Sequence, residues 1–399
     1  MPPRFRADQV GSLLRPPQLL EARSNLSSPS KMYDIHNDSQ IHQAETEAIQ
    51  WAVQKQQELA IRPFCSGEYD RHIYYGGLFE TLEGMTPMPD LPIKEAFRTD
   101  FPTTTKLAEM GAETRAAVVC TGPIRWSQTA YMDEWKALRS TLSAEYWWEC
   151  KMTIPSPTYQ HIQLKPGTAF TKDSGYNSDE QYFHDLATAY RSEIEALYDE
   201  GLRNLQIDDP HLTYFCSSQF LNGCKKDGTD TDALLELYFD VHNQILSNLP
   251  EDLHMSIHLC RGNMSGSTHW VSGSYEQIAK NLFTKTPYQT YFLEFDDAEH
   301  QGGFEPLRFL PKGKNVILGL VSTKRPELEK TEDLNSAIGQ AADVIAKAQG
   351  ISHAEALGVL GVSPQCGSAS SSLAGGKGVT MDIMWQKLML VRDVARQIW

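Results

Sequence analysis

Short apolar runs rich in β-branched residues recur along the chain, and a polar or turn-forming stretch and then a helical stretch follow each of them. Eight such runs predict strands at 61–68, 116–123, 152–157, 205–210, 255–260, 291–297, 315–322 and 357–366. Strands that alternate with helices pair in parallel, because a crossover connection returns the chain to the same edge of the sheet. The pattern therefore predicts an α/β protein.

Two of the intervening stretches have the period of an amphipathic helix. Apolar residues recur every three or four positions in 185–200 and in 334–349. A glycine follows each stretch, Gly201 in the first case and Gly350 in the second, and glycine is the usual residue at a helix C-terminus. Both stretches are predicted to pack one face against the sheet.

The order of the elements favours a (β/α)8 TIM barrel. Polar residues cluster at the carboxyl ends of the predicted strands, where barrel enzymes place their chemistry. An open doubly wound sheet is the structural alternative. We find no internal repeat and no Pro/Ser-rich linker, so residues 1–399 are predicted to form one catalytic barrel domain.

Two further features complete the predicted architecture. Residues 1–60 read as an N-terminal extension that packs on the barrel or enters it, and they include a predicted helix at 41–60. Long loops are expected at 84–104 and 211–232, where elements that cover a substrate usually lie.

Composition and charge narrow the possible partners. The 399 residues are 41% hydrophobic and carry 36 basic against 51 acidic side chains, a formal net charge of −15. Such a charge repels nucleic acid and anionic membranes, so small molecules are the expected partners, and a homo-oligomer is compatible with the composition. We find neither a secretory h-region nor an apolar run long enough to span a bilayer, which favours a cytoplasmic protein.

Cysteine usage agrees with a reducing compartment. The chain has 7 cysteines, an odd number that is dispersed along its length. This is not the pattern of a disulfide framework, so a cysteine in a distinctive context is a small buried residue, a metal ligand or a nucleophile.

The most distinctive context is the His-x-Cys sequence near the end of the fifth predicted strand. Alternation along a strand puts His258 and Cys260 on one face, where an imidazole and a thiolate can bind one zinc ion. Taken alone, such a pair is more typical of a buried core. Glu294 and Cys366, however, lie at the ends of later strands, so four ligands would meet at one mouth and the set predicts a zinc site.

This ligand set favours one class of chemistry. Two thiolates, a carboxylate and a neutral imidazole together carry about three negative charges, which makes the ion a poor Lewis acid for activating water. The set suits an incoming thiol better, because metal binding removes the thiol proton and leaves a nucleophilic sulfur. The residues therefore indicate zinc-assisted S-alkylation.

Several ordered motifs give the chain a specific resemblance. VGSLLRP, SGEYDR, LQIDDP, HLCRGN, LEFD and SPQCG occur in this order between Phe5 and Trp399. With them the sequence resembles the cobalamin-independent methionine synthases, specifically their C-terminal catalytic barrel and the short single-barrel relatives in bacteria and fungi.

The resemblance implies a function. The enzyme would move a methyl group from a folate-type donor, 5-methyltetrahydrofolate or a substitute, to the thiol of homocysteine and release methionine. Ser12, Glu68 and Asp208 would hold the amino acid end of the thiol substrate, with the two carboxylates pairing with its ammonium group. The implied zinc ligands are His258, Cys260, Glu294 and Cys366. Without the resemblance, Glu68 also fits a solvated loop charge, and Asp208 fits a turn or a helix cap.

The chain also departs from the family pattern. It lacks the second, N-terminal barrel of the full-length enzymes, which helps to bind the folate, so the donor is open. Lys324 stands where those enzymes place a histidine that is proposed to protonate the departing group, and a lysine needs a lowered pKa to do this near neutrality. Arg261 follows the ligand cysteine, as in the short relatives, and either binds an anionic substrate group or pairs with a carboxylate.

Three other functions stay open at this stage. One is a related zinc alkyltransferase that uses another thiol or another methyl donor. Another is a metal-free enzyme similar to uroporphyrinogen decarboxylase, for which Arg4, Arg6 and Arg15 give a sparse arginine cluster. The last is a non-catalytic protein that holds zinc or senses thiols.

Two weaker signals are also relevant to substrate binding. Four aromatic residues are candidates to stack on a pterin-like ring, although aromatic side chains on barrel loops more often pack: Trp126, Trp147, Trp148 and Tyr159. The Gly/Ser-rich run at 366–378 contains Gly-Lys but lacks the spacing of a phosphate-binding loop, so it reads as a connecting loop.

Overall fold

The protein is described by a computed structural model over residues 3–24, 38–263, 269–369, 371 and 375–399. Parts of the N-terminal extension and of the Gly/Ser-rich run lie outside these described residues. The strands are β1 (Glu83–Pro92), β2 (Thr114–Arg125), β3 (Met152–Pro155), β4 (Asn204–Asp208), β5 (His254–Leu259), β6 (Thr290–Glu294), β7 (Asn315–Val321) and β8 (Leu360–Pro364).

Helices separate most of these strands. They are α1 (Pro17–Ala22), α2 (Ser39–Glu58), α3 (Leu78–Thr81), α4 (Ile93–Ala96), α5 (Pro102–Glu109), α6 (Met132–Arg139), α7 (Tyr159–Gln163), α8 (Asp179–Asp199), α9 (Ser218–Lys226), α10 (Thr231–Leu246), α11 (Ala279–Lys285), α12 (Ala298–Gln301), α13 (Thr331–Gln349), α14 (His353–Leu357) and α15 (Met381–Ile398). Short 3-10 helices cover Ala144–Glu149, Lys172–Ser174, His211–Cys216, Tyr275–Gln277 and Glu305–Phe309. Within the described ranges, no helix has both the length and the apolar character that crossing a membrane requires.

The six strands from β3 to β8 form one parallel sheet, and their order in the sheet is their order in the chain. This confirms six of the eight predicted strands and the mixed α/β class. A doubly wound sheet reverses its strand order at a switch point, whereas this sheet runs in one direction throughout. Nearly all residues of these six strands are buried, as expected for a sheet covered on both faces.

Beyond β3 and β8, the two outer strands of this sheet, short segments pair through isolated β-bridges. Ala7 pairs in parallel with Val362 of β8, and Ser12 pairs in parallel with Gly67. The predicted strand at 61–68 contributes Phe64, which pairs in parallel with Cys150 just before β3. Residues 7–12 and 64–67 therefore lie, in that order, between β8 and β3.

The predicted strand at 116–123 exists, but its predicted place in the parallel sheet is wrong. It belongs to β2, which pairs antiparallel with β1 in a separate two-stranded sheet. The expected loop at 84–104 is likewise wrong, since it contains β1 and two helices. The sequence did not predict β1 because it contains three prolines, which argue against a central strand. Proline is tolerated on edge strands, and β1 has only one neighbouring strand among the described residues.

The remaining predicted elements are mostly confirmed. The helices expected at 185–200 and 334–349 are α8 and α13, and Gly350 ends α13 in the left-handed conformation. The helix expected at 41–60 is α2, whose first turn is capped by the Asp38 carboxylate. The loop expected at 211–232 is instead largely helical, with a fully buried 3-10 turn at His211–Cys216 followed by α9.

A buried lysine joins the N-terminal segment to the sheet. Lys151 is 1% exposed, and its Nζ donates to Asp8 Oδ1 at 2.7 Å and to Gln206 Oε1 at 3.0 Å. It also donates to the Gln9 carbonyl and lies 4.3 Å from the centroid of the Phe292 ring. Burial raises the pKa of Asp8, and the Lys151 charge opposes that shift. This pair fastens residues 8–10 against β4 and β6.

We expect Lys151→Met to lower the free energy of unfolding by about 3–5 kcal/mol, because Asp8 must then stay charged without a partner or take up a proton. The double variant Asp8→Asn/Lys151→Met removes both charges and should recover a large part of the loss. Urea unfolding measures both values. Lys106→Met, which breaks an exposed pair with Glu109, is the control and should change stability by less than about 0.5 kcal/mol. Equal losses in the single and double variants would contradict the prediction.

Candidate metal centre and adjoining cavity

Four side chains meet where the parallel strands end. His258 is near the end of β5 and Cys260 follows that strand, while Glu294 ends β6 and Cys366 comes two residues after β8. All four are buried, and one ligand atom from each lies within 4.8 Å of the others. Because the carboxyl ends of parallel strands share one edge, residues distant in sequence come together here.

The contacts inside the group fit a metal site with nitrogen, sulfur and oxygen ligands. The Cys260 and Cys366 sulfurs are 3.3 Å apart, and the interaction with Cys366 together with burial raises the pKa of Cys260. The backbone N–H of Gly262 donates to Cys260 Sγ at 3.2 Å. The backbone N–H of Arg261 donates to Glu294 Oε1 at 3.1 Å. Two thiols, an imidazole and a carboxylate at this spacing match the ligands that zinc takes in four-coordinate sites.

Asp208 orients the histidine of this group. Asp208 and His258 are register partners on β4 and β5, and Asp208 Oδ1 lies 2.5 Å from His258 Nδ1. Burial lowers the pKa of His258, but the charge and hydrogen bond of Asp208 outweigh burial and raise it to about 9. With Nδ1 engaged, Nε2 is the nitrogen that can bind a metal, and it lies 3.2 Å from the Gln365 carbonyl. A carboxylate behind a ligand histidine is a common arrangement.

Lys324 lies on the other side of the group. Its Nζ is 3.7 Å from Glu294 Oε2 and 3.0 Å from His269 Nδ1. Burial lowers the pKa of Lys324, but Glu294 and Asp296 outweigh burial, so the net shift is upward. The structure therefore places a positive charge beside the metal group, and the shift is opposite to the one that an efficient proton donor needs.

A second group of possible ligands adjoins Lys324. Within the described residues, His269, Asp297 and His300 also bring three ligand atoms within 4.8 Å of one another. His300 Nδ1 is 2.8 Å from Asp297 Oδ2, and His269 Nε2 is 3.4 Å from the same oxygen. Since Lys324 donates to His269 Nδ1, these residues satisfy one another as a hydrogen-bonded chain.

The predicted acceptor residues line one cavity with the two thiols. Ser12, Glu68 and Asp208 share the wall of this cavity of about 490 Å³ with Cys260 and Cys366. Thr153 donates to Glu68 Oε1 at 2.7 Å, whereas Glu68 Oε2 is buried without a hydrogen-bond partner among the described residues. Burial raises the pKa of Glu68. An unpaired carboxylate oxygen in a cavity wall is a ready acceptor for an ammonium group.

The backbone around Glu68 is specialised. Gly67 and Glu68 both have positive φ angles, +76° and +56°. A Cβ atom on Gly67 would lie 2.8 Å from the Tyr69 ring, so only glycine fits there. Left-handed backbone at a non-glycine residue is strained and persists where the surroundings enforce it, frequently at functional sites.

Arg261 lies away from the cavity. Its side chain is fully buried, with the guanidinium 4.2 Å from the centroid of the Tyr275 ring, and it is not part of the cavity wall. Its backbone N–H contacts the metal group through Glu294. Arg15, one of the three arginines of the decarboxylase alternative, is also buried and donates to backbone carbonyls, including that of Glu68.

Sequence reasoning missed the aromatic half of the cavity. Of the four aromatic candidates only Tyr159 lines it, together with Tyr74, Tyr75, Tyr214 and Arg115. Arg115 lies on β2, and no sequence signal revealed that this strand leaves the parallel sheet. His211, which also lines the cavity, is buried with its pKa lowered to about 3 by burial, so it is a neutral ring.

Two proteins of Bacillus subtilis (strain 168) match the chain along almost its whole length. The uncharacterized protein YxjG is 32% identical over 400 residues, which cover 100% of this chain and 95% of YxjG. The uncharacterized protein YxjH is 31% identical over 397 residues, which cover 99% of this chain and 95% of YxjH. The chain belongs to the YxjG/YxjH family. No protein-family model matches it.

Two solved structures share the fold of this YxjG/YxjH family member. A protein from Listeria monocytogenes, described as a candidate vitamin-B12 independent methionine synthase, has a TM-score of 0.70 at 24% identity and covers 100% of this chain and 99% of its own. The structure of a B12-independent methionine synthase from Shewanella sp. W3-18-1 in complex with selenomethionine has a TM-score of 0.65 at 16% identity. The match covers 98% of this chain and 97% of the Shewanella chain. At 24% and 16% identity, these similarities establish the fold of the chain and nothing further.

The Asp208–His258 pair gives a prediction for the metal-free protein. We expect Asp208→Asn to lower the pKa of His258 from about 9, because only Cys366 and Glu294 then oppose the effect of burial. Imidazole NMR titration of metal-free protein measures this value.

The same pair should also make the unfolding free energy depend on pH. A raised histidine pKa stabilises the fold fully below 6.5, and the contribution is lost as the pH rises through about 9. Asp208→Asn should therefore flatten the dependence of the unfolding free energy on pH between these values. An unchanged pKa of His258 in the variant would contradict the assignment.

Proposed function

We propose that this YxjG/YxjH family member is a zinc-dependent methyltransferase. It moves a methyl group from a folate-type donor, 5-methyltetrahydrofolate or a substitute, to the thiol of homocysteine, and the product is methionine. The observation that carries the proposal is the convergence of His258, Cys260, Glu294 and Cys366 within 4.8 Å. The two methionine synthase structures that share the fold support it.

The four ligand candidates suit thiol chemistry. Zinc bound there would lower the pKa of an incoming thiol and keep the sulfur nucleophilic at neutral pH. Cys260 and Cys366 are the two members of the group that reach the cavity wall. A substrate that enters the cavity therefore meets the sulfur side of the group, while His258 and Glu294 support it from behind.

The same cavity also supplies contacts for an amino acid. Glu68 Oε2, buried without a partner among the described residues, would accept from the substrate ammonium, and Ser12 would donate its hydroxyl to the carboxylate. Asp208 has two roles in the proposal, since it lines the cavity and also holds the His258 ring. The selenomethionine complex of the Shewanella enzyme is consistent with a thioether amino acid as product.

Methyl transfer needs alignment of the two substrates and a proton for the departing donor. The acceptor thiol gives up its proton, and its sulfur forms a bond to the methyl carbon as the bond from that carbon to the donor breaks. The donor atom keeps the electron pair of the broken bond and takes up one proton from solvent, which balances the proton that the thiol released. Lys324 is proposed to act through its positive charge beside Glu294, because its raised pKa makes it a weak acid near neutrality. Arg261 would act through its backbone contact with Glu294.

The scaffold belongs to the proposal as well. We propose that the bridge segments 7–12 and 64–67 complete a closed eight-stranded barrel between β8 and β3. The whole chain would then be one catalytic domain of a cytoplasmic protein. Strand order without reversal supports the barrel over a doubly wound sheet.

A related alkyltransferase is the second candidate function. The aromatic wall with Arg115 is the observation that favours it, because this wall would also accept a flat-ring anionic methyl donor other than a folate. Comparing homocysteine with cysteine and 2-mercaptoethanesulfonate, and 5-methyltetrahydrofolate with its polyglutamyl forms, separates the two. Efficient turnover of methylfolate with homocysteine would remove the second candidate.

The metal site is tested by a serine substitution. We expect Cys366→Ser to reduce bound zinc at least tenfold and methyl transfer to homocysteine at least a hundredfold, because a neutral hydroxyl replaces a thiolate ligand. Metal analysis and methionine formation measure the two effects. Cys224→Ser, at a buried cysteine of α9, is the matched control and should keep zinc and activity. Wild-type activity in Cys366→Ser would defeat the proposal.

The acceptor wall is tested separately. We expect Glu68→Gln to raise the KM for homocysteine at least tenfold and to leave bound zinc unchanged, because the variant loses the charge that pairs with the ammonium but no ligand. A thiol without the amino group, 4-mercaptobutyrate, is the comparison substrate and should be used equally well by both proteins. A lower zinc content in Glu68→Gln would show that the residue serves the metal group instead.

A further inference from the structure

The cavity wall has two chemically different parts. One part consists of the thiols of Cys260 and Cys366 with the polar acceptor residues, and the other consists largely of tyrosines. Its volume of about 490 Å³ is in the range of small-molecule sites, which run from about 300 to 1,000 Å³. In the proposed reaction a donor and an acceptor occupy the cavity together, and the tyrosine part of the wall offers a surface for the donor.

The tyrosine part of the wall is a continuous aromatic surface. Tyr75 and Tyr159 are stacked with ring centroids 4.1 Å apart, and Tyr74 meets both edge-on at 5.2 and 5.9 Å. The wall continues through His211, 4.7 Å from Tyr159, to Tyr214, 4.9 Å from His211. Because these rings already pack against one another, a ligand ring has a preformed surface on which to stack.

Arg115 is a charged group that borders this aromatic surface. Its Nη2 donates to the Tyr159 hydroxyl at 3.2 Å. Its Nη1 is shielded from solvent and has no hydrogen-bond partner among the described residues. Nor does any carboxylate of those residues lie within ion-pair distance of the guanidinium. A guanidinium is always charged and offers donors in a planar fork that matches a carboxylate, so a shielded donor in a cavity wall is available to an anion.

The charge of Arg115 also limits which methyl donors fit. Aromatic walls attract methylated cations such as sulfonium and quaternary ammonium groups, because ring faces are negative. Here a guanidinium already occupies the wall and would repel a second cation at close range. A donor with an anionic group gains an ion pair in the same place.

We propose that Arg115 is the anion-binding residue of a donor subsite, so that this chain selects a donor with a flat ring and a carboxylate over an onium donor. The proposal rests on the methyltransferase function proposed above, with the aromatic wall supplying the stacking surface. Arg115 determines specificity and takes no part in the bond changes at sulfur.

Binding of simple probes tests the subsite without catalysis. Benzoate and benzyltrimethylammonium are titrated by NMR into zinc-free wild type, Arg115→Gln and Arg115→Lys. We expect benzoate to bind wild type, to weaken about tenfold or more in Arg115→Gln and to recover partly in Arg115→Lys. The cation should bind Arg115→Gln better than wild type. Phenyl phosphate is a third probe, and stronger binding than benzoate would overturn the assignment to a carboxylate.

Steady-state kinetics of the zinc-loaded enzyme give a second test of the role of Arg115. Arg115→Gln should raise the KM for 5-methyltetrahydrofolate and leave the KM for homocysteine unchanged. A rise in the homocysteine KM instead, or equal benzoate affinity in wild type and Arg115→Gln, would overturn the proposal. Arg203→Gln is the control, because Arg203 precedes β4 at the sheet edge opposite the metal group. Arg115-dependent benzoate binding in a protein that transfers no methyl group would count against the proposed function alone.

Discussion

Parallel pairing of six consecutive strands is the constraint on which the site depends. Every connection returns the chain to the same edge, so the carboxyl ends of β4, β5, β6 and β8 collect side chains that lie up to 158 positions apart, from Asp208 to Cys366. The register then does the fine positioning. Asp208 and His258 face each other because β4 and β5 pair residue for residue at that point.

The buried charges of the molecule form a second level of organisation. Lys151 compensates Asp8 inside the sheet, and Lys324 lies beside Glu294 at the metal group. Asp208 pairs with the His258 ring. Each pairing removes a penalty that an isolated buried charge would impose. Glu68 Oε2 and Arg115 Nη1 differ, since neither atom has a hydrogen-bond partner among the described residues and both belong to residues of the cavity wall.

The sequence allowed prediction of those features that depend on periodicity and on strand ends. The six sheet strands, helices α2, α8 and α13, and the meeting of His258, Cys260, Glu294 and Cys366 all follow from such patterns. The β1–β2 hairpin could not be predicted in this way. The prolines of β1 argued against a strand, and the apolar run of β2 does not indicate which strand it pairs with. Arg261 shows a related limit, since its position in the sequence beside a ligand said nothing about the direction of its side chain.

The β1–β2 hairpin has a consequence for how such a protein diversifies. The thiol and metal chemistry is carried by the ends of the parallel strands, whereas Arg115 enters the cavity from a hairpin that forms its own small sheet. Mutations in the hairpin can therefore reshape one half of the cavity while the register of the parallel sheet stays intact. Relatives with the same metal residues can in this way acquire new co-substrates through changes in a hairpin that lies outside the parallel sheet.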